Sequence, residues 1–472
     1  MKRYDFVIIG GGAAGFAAAV RLWELTEGKS SIAMVNYGMI GGTCVNVGCV
    51  PSKYLIEAAK QYYESRHSRF DGVEVLGARL DFGILMDGLR RLIDSMRSGK
   101  YEKVLDHYNI ELIRGKASFK SQEVIVVEND GRIEELSGKV FLLATGSSPL
   151  IPRIEGLTDI PYLTTDNIWN LKELPDSLLV IGGGSVGLEL GQAFSRLGCN
   201  VTIVEALGRV LAVAEPEISE MLGNVLRNEG VRILTKSRVS RLRRKDESVE
   251  AEVISHKGVE TMTFDKVLVA VGRLPNTSGL GLEKLGVELD GRGFVKVDEF
   301  MRTSNPRIYA AGDVISKRFM LETLSAREGV VAAENMAGRK IRMDYSAVPT
   351  VTFTEPQAAW VGLTEEEVMK KYRACACRVI KFTDVPKALL TGYTDGVLKI
   401  VIEPKTHRIL GVHILSHNAA EYVVAAAHLI RTGQTIEGLL DTIHVFPTLA
   451  EAMKLAAIAF KRPIKAMPCC ME

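Results

Sequence analysis

Two glycine-rich turns, 172 residues apart, constrain this 472-residue chain more than anything else in it. In the first, an apolar strand pattern (YDFVIIG, 4–10) runs into Gly10-Gly11-Gly12-Ala13-Ala14-Gly15, then into the helical pattern FAAAVRLWEL. Gly10 allows the tight turn, Gly12 lets the backbone approach a pyrophosphate, and Gly15 lets helix and strand pack closely. The helix N-terminus then offers N–H donors to phosphate. The second turn repeats the arrangement. Leu178 to Ile181 lead into Gly182-Gly183-Gly184-Ser185-Val186-Gly187, the helix LELGQAFSRLG follows, and the strand NVTIVE closes the unit at Glu205. One such turn is weak evidence, because a tight αβ turn needs no ligand. Two in the same strand–turn–helix context point to two dinucleotide sites.

The rest of the chain fits a large globular protein. At roughly 150 residues per domain the length suggests about three domains. Hydrophobic residues at 47% and charged residues at 25% are ordinary, so a large core is expected. The net charge is +2, from 59 basic and 57 acidic residues, which argues against binding driven by nucleic-acid phosphates. No run of 18 apolar residues marks a membrane span, and MKRYDFVIIGGG is not a signal-peptide pattern, so a cytoplasmic location is expected. Breaks fall at ATGSSPLIP (144–152), at AVGRLPNTSG (270–279) and near Tyr345. Beyond the last, TVTFTEPQAAWVG, VLKIVIE and ILGVHIL read as antiparallel strands and NAAEYVVAAAHLIR as a helix, an α+β domain.

Seven cysteines are too few for a disulfide scaffold, and three close pairs point to redox or soft-metal chemistry. The strongest signal is GGTCVNVGCVPSK, 41–53. Cys44 and Cys49 precede an apolar-periodic helix whose N-terminus favours thiolate. Along an undistorted helix they would be too far apart to pair, and Gly48 can supply the distortion. Cys375-Ala376-Cys377 alternates at strand period, so both face one side. They read as thiols at a strand edge, with a second metal site as the alternative. Cys199 reads as packing.

At this point the chain resembles the pyridine nucleotide–disulfide oxidoreductases, over nearly its whole length. GGGAAG, GGTCVNVGCVPSK, ATGSSP, GGGSVGLELG, VGRLPN and AAGDV stand in that family's order. The resemblance implies an α/β fold with two Rossmann-like dinucleotide-binding domains and a C-terminal α+β dimerisation domain. It divides the chain into 1–150 and 270–344 for FAD, 151–269 for NAD(P), and 345–472 for dimerisation, with a thiol tail. FAD would contact Gly10, Gly12, Ala14, Gly15, Asn36, Gly42, Thr43, Lys53, Ala117, Thr145, Gly146 and Asp313. The nicotinamide cofactor would contact Gly182, Gly184, Val186, Gly187, Glu189, Glu205 and Gly272. Cys49 would be the thiolate against the flavin and Cys44 the exchanging sulfur, with Lys53 and Glu189 nearby as further catalytic groups. Homodimers sharing active sites between subunits are implied.

The choice of substrate rests on the C-terminus. Disulfide-reducing members resemble H-x-x-x-H-P-T-x-x-E, with a proton-handling histidine before the proline. This chain reads His444-Val445-Phe446-Pro447-Thr448-Leu449-Ala450-Glu451, so Phe446 holds the base position and cannot accept a proton. His444 reads as structural. Cys469-Cys470, two residues from the end, resemble the vicinal pair of the mercury-reducing members, which serves the partner's active site. All four cysteines, Cys44, Cys49, Cys469 and Cys470, would then be metal ligands, and Hg(II)–thiol complexes the substrate. A disulfide reductase of the lipoamide type and a thiol-based soft-metal sequestering protein are the alternatives. Two positions depart from the pattern: Thr448 replaces the tyrosine common after Phe-Pro in the mercury-reducing members, and Asn36 replaces the acidic residue for the first ribose. Glu205 would bond a ribose 2′-OH and repel a 2′-phosphate, so NADH is expected over NADPH.

Overall fold

The structure is a computed structural model that describes residues 1–316 and 319–464. The first glycine turn joins strand Lys2–Ile9 to helix Ala13–Thr26. That strand is the centre of a parallel array. Ile32–Asn36 and Glu111–Arg114 lie to one side, and Arg132–Leu143 to the other. Arg132–Leu143 is long enough to serve two partners. Its first half pairs antiparallel with Val124–Asn129, and its second half runs parallel to Lys2–Ile9. Its end also receives Ile308–Ala310, a strand from much later in the chain. Buried Val7, Ile8, Leu142 and Leu143 give this sheet its apolar runs, as expected of strands covered on both faces. Helix Glu322–Met336 packs on Ala13–Thr26, and a Cβ on Gly329 would stand 2.2 Å from the Ala14 carbonyl oxygen. The contact therefore requires glycine.

The second turn builds a separate parallel sheet in the order Arg232–Leu234, Asn200–Val204, Ser177–Ile181, Lys266–Val269. An antiparallel meander, Arg238–Lys245, Ser248–Ser255 and Gly258–Phe264, is attached to it. The chain enters and leaves this unit through a two-stranded ribbon of Ser147–Pro149 and Arg273–Pro275, at the first two breaks seen in the sequence. The C-terminal unit is a five-stranded antiparallel sheet, ordered Thr350–Thr352, Gln357–Gly362, Ile409–Ser416, Val397–Ile402, Ala376–Lys381. Helix Ala419–Arg431 covers it. The α/β architecture with an α+β C-terminal unit is as the sequence suggests.

One apolar core joins the three units. Leu55 and Ala59 of helix Cys49–Glu64 pack with Leu89 and Ile93, with Leu188 and Phe194 of the second unit, and with Trp360 and Leu415 of the third. The helix that begins at Cys49 therefore stands on a foundation shared by all of them. No helix among the described residues is long and apolar enough to cross a membrane.

Candidate active site

The segment before that helix is shaped by its glycines and by Asn46. Gly41 and Gly42 have φ of 94° and 67°, the left-handed region that favours glycine. A Cβ on Gly42 would lie 2.7 Å from Gly12 Cα, so the cysteine loop packs directly on the first fingerprint turn. A short helix, Gly42–Asn46, carries Cys44. Val47 and Gly48 interrupt it, and a new helix starts at Cys49. Buried Asn46 braces the break, donating to the carbonyls of Ile40 (2.9 Å) and Gly42 (2.8 Å) and accepting from Arg97 Nε (2.7 Å). Trp169 Nε1 holds the Val47 carbonyl at 3.0 Å. The predicted distortion at Gly48 is thus a full break between two helices.

The break brings the sulfurs together as free thiols. The Cys44 thiol donates to Cys49, which drives the Cys49 pKa below its ordinary value. Burial opposes that shift, and the Lys53 ammonium adds to it. The same hydrogen bond, with burial, drives Cys44 up. Cys49 is therefore the more acidic sulfur and Cys44 the less acidic one, the asymmetry expected of a helix-terminal cysteine beside a cation. Lys53 lies one turn on. Its Nζ is 2.8 Å from Glu189 Oε2 and 4.5 Å from the Phe353 ring centroid. Glu189 Oε1 accepts the Phe353 backbone N–H at 2.8 Å. These contacts tie helix Cys49–Glu64, helix Ser185–Leu197 and the third unit into one corner, with Lys53 and Glu189 at its centre.

The two fingerprint turns are built alike. Gly12 and Gly184 are the N-caps of their helices, and neither helix has a side-chain cap. The first-turn N–H groups are thus free for an anion. Gly15 and Gly187 each sit where a Cβ would lie 2.0 Å from the first glycine's carbonyl oxygen (Gly10 and Gly182). In the first unit Gly11 N–H donates to Asn36 Oδ1 (2.9 Å), and in the second Gly183 N–H donates to Glu205 Oε2 (2.6 Å). Asn36 and Glu205 therefore hold equivalent places at the rim of each turn. Open backbone at Gly184 and Gly272, where a Cβ would meet nothing within 4 Å, and the exposed Val186 line the second rim. Arg209 turns to the carbonyls of Ala212 and Ala214 (3.1 and 3.4 Å).

The other predicted contacts gather on the first unit. Gly115 N–H bonds the Asn36 carbonyl at 3.0 Å, which sets the strand of Ala117 beside that rim. Thr145 and Asn276 exchange hydrogen bonds, and Gly146 takes φ of 69°. Asp313 accepts from Ser147 (3.1 Å) and Ser325 (3.4 Å). Free helix-terminal N–H groups, glycine clefts and a buried polar rim suit a dinucleotide on each unit. Three neighbours carried no separate role in the sequence reading. Arg273 donates to Ser147 Oγ (2.7 Å) and to Thr43 Oγ1 (3.5 Å). Glu322 presses its charge on both thiols and on Tyr101, whose hydroxyl burial pushes up to about 12. Arg273 was visible within VGRLPN, whereas Tyr101 and Glu322 lie in stretches with no motif.

His444 donates from Nε2 to the Leu439 carbonyl at 3.1 Å, a structural contact. Phe446 is about half exposed, and Thr448 donates to the Val445 carbonyl. Cys199 is buried, and burial pushes its thiol up to about 12. Cys469 and Cys470 lie outside the described residues.

Two glycine-turn units that share a corner with a close cysteine pair make the arrangement of a dithiol oxidoreductase. Residues 4–329 match the family Pyridine nucleotide-disulphide oxidoreductase, and 348–457 match its dimerisation domain. The chain belongs to this family: it is an enzyme using FAD and NAD(P)H, and it carries the family's dimerisation unit. It is 39% identical to a mercuric reductase of Streptomyces lividans over 99% of this chain and 98% of that one. It is 38% identical to a mercuric reductase of Lysinibacillus sphaericus, over 99% of this chain and 84% of the relative. Among solved structures it resembles the Cu(II) complex of the HOCl-induced flavoprotein disulfide reductase RclA from Escherichia coli. The TM-score is 0.87 at 28% identity, covering 98% of this chain and all of that one.

Proposed function

We propose that this enzyme reduces Hg(II), presented as thiol complexes, to Hg(0), with NADH as the preferred reductant. The observation that carries the reading is a hydrogen-bonded pair, Cys44 and Cys49, with Lys53 lowering the Cys49 pKa, while the pre-proline position holds Phe446, which cannot take a proton from an attacking dithiol. The kinship with mercuric reductases supports it. Bound FAD supplies the two-electron relay between the nicotinamide and the thiol pair. Gly10, Gly12, Gly15, Asn36 and Asp313 hold it on the first unit, and Gly182, Gly184, Gly187 and Glu205 hold the nicotinamide cofactor on the second. Cys44 and Cys49 take the ion from its carrier thiols by exchange, two carrier thiols leaving for two thiolates gained. The net reaction is NADH + H⁺ + Hg(SR)₂ → NAD⁺ + Hg(0) + 2 RSH. Lys53 stabilises the Cys49 thiolate, and Glu189 fixes Lys53. Cys469 and Cys470 of the partner subunit deliver the ion. In this reading the divisions are 1–150 with 270–344 for FAD, 151–269 for the nicotinamide, and 345–472 for dimerisation.

The NADH preference is supported by Glu205, a strand-end carboxylate at the rim of the second turn that would bond a ribose 2′-OH and repel a 2′-phosphate, and by Arg209, which is engaged elsewhere. The test is nicotinamide oxidation by the FAD-loaded dimer, with Hg(II) in excess small thiol and the thiol-only rate subtracted. Sustained metal-dependent turnover, faster with NADH than NADPH, is the expected result. Turnover of lipoamide in its place, with none on Hg(II), would overturn the reading.

A further inference from the structure

Cys375 and Cys377 take no part in the site described above. Cys377 lies in Ala376–Lys381, the edge strand of the five-stranded sheet, and Cys375 immediately precedes it. Alternation along the strand turns both side chains to one face. Both are half-buried free thiols, and both pack against an apolar floor of Val368, Val401 and Leu410.

They also converge on one carboxylate. Cys375 Sγ lies 3.7 Å from Glu365 Oε1, and the Cys377 thiol hydrogen-bonds the same side chain. Glu365 is not free to swing away. Its other oxygen lies 2.7 Å from Lys399 Nζ, which is 2% exposed and also bound by Glu215 (3.0 Å) and Glu217 (2.9 Å). A buried ammonium held by three carboxylates fixes the point at which the two thiols meet. Burial and the Glu365 charge push both thiols up, Cys377 to about 11, so they rest protonated at neutral pH. Such thiols are poor nucleophiles. A soft ion still displaces their protons, because it binds thiolate far more strongly than it binds oxygen or nitrogen.

We infer that Cys375 and Cys377 form a second soft-ion site, which holds one Hg(II), or an ion of like preference such as Ag(I), between two thiolates. Among the described residues no group of three or more His, Cys, Asp or Glu side chains is arranged for a metal. The site therefore lacks the four ligands that Zn(II) takes in structural sites. An ion satisfied by two collinear sulfurs does not need them. The exchange is Hg(SR)₂ + 2 Cys–SH → Cys–S–Hg–S–Cys + 2 RSH. Two Hg–S bonds form, two break, each thiol proton leaves on a carrier thiol, and nothing is oxidised or reduced. The advantage over two separate monothiols is chelation: once one sulfur binds, the second acts at an effective concentration in about the millimolar range or above.

The inference does not depend on Hg(II) reduction and is tested without a reductant. Oxidised, FAD-loaded dimer is mixed with Hg(II) as its complex with free cysteine, desalted, and its mercury counted by elemental mass spectrometry. The C375S/C377S variant is expected to retain about one ion fewer per subunit than the unaltered enzyme. C375S alone is expected to lose the same ion, since one thiolate cannot chelate. Zn(II) is expected to bind both proteins equally. Equal mercury content in variant and parent would overturn the site. Retained FAD and an unchanged melting temperature show that the variants fold. Should they not fold, maleimide labelling of the unaltered enzyme decides: Hg(II) must protect both Cys375 and Cys377, and labelling despite Hg(II) overturns the site.

Discussion

Cys49 is acidic because of a neighbour five residues back. The largest influence lowering its pKa is the hydrogen bond from Cys44, and the Lys53 charge is a smaller one. In the dithiol enzyme, Cys44→Ala should therefore move the midpoint of the Cys49 thiolate absorbance upward in pH. Lys53→Met should move it the same way by less. A midpoint unmoved by Cys44→Ala would mean that the helix terminus alone sets the acidity. This pair was legible in the sequence because the spacing around Gly48 and the start of a helix are both local properties. Lys53 and Glu189 were read from the family pattern, but their 2.8 Å bond joins residues 136 apart and exists only once the helices cross. Glu322 and Tyr101 had no local signal, since what places them beside the thiols is packing between distant helices.

At the scale of single elements, the fingerprints carry most of what the sequence disclosed. Strand, turn and helix fall where the glycines put them, because each glycine answers a steric demand of its own turn. Gly15→Ala would drive a methyl to 2.0 Å from a carbonyl oxygen. Overpacking costs about 1–3 kcal/mol, and a rigid backbone target belongs at the upper end. At about 1 °C per kcal/mol for a chain of this length, melting should fall by about 3 °C, with loss of retained FAD. Gly184→Ala is the informative contrast. Its φ of −81° suits alanine and nothing crowds its Cβ, so melting should hold while KM for NADH rises about tenfold. Thermal melts and steady-state kinetics separate the two. Less legible was the turn-by-turn course of the cysteine loop. The break at Val47–Gly48 depends on Asn46, Arg97 and Trp169, which lie far apart in the sequence.

At the scale of the molecule, the units are joined by buried charge as well as by the shared core. Lys399 of the third unit reaches Glu215 and Glu217 beside the second. Lys399→Met would leave Glu215, itself 3% exposed, with the Glu365 backbone N–H at 2.6 Å but without its cation, and should cost about 3 kcal/mol, the lower end for a broken buried pair, in a thermal or denaturant melt. Acid should act on the same joints. Hydrogen bonding from Lys399 holds Glu365 below the ordinary carboxylate value. For Glu355, burial opposes the charge, but His417 and Lys60 outweigh it and its pKa also falls. A lowered carboxylate pKa contributes stability that is present above the unfolded value and is lost as pH drops through the folded one. Melting should therefore hold from neutrality down toward pH 4.5 and decline below it, with a shallower decline in Lys399→Met. None of this was visible in the sequence, where Lys399 is one charge inside an apolar strand pattern. The long strand Arg132–Leu143 has a consequence in time. Its partner Ile308–Ala310 is made 165 residues after Leu143, so during synthesis the first sheet waits for its last strand. At 5–20 residues per second the wait is on the order of ten seconds or more. The parallel sheet of the second unit has all its strands by Val269, so it can close while the first sheet still lacks its last strand.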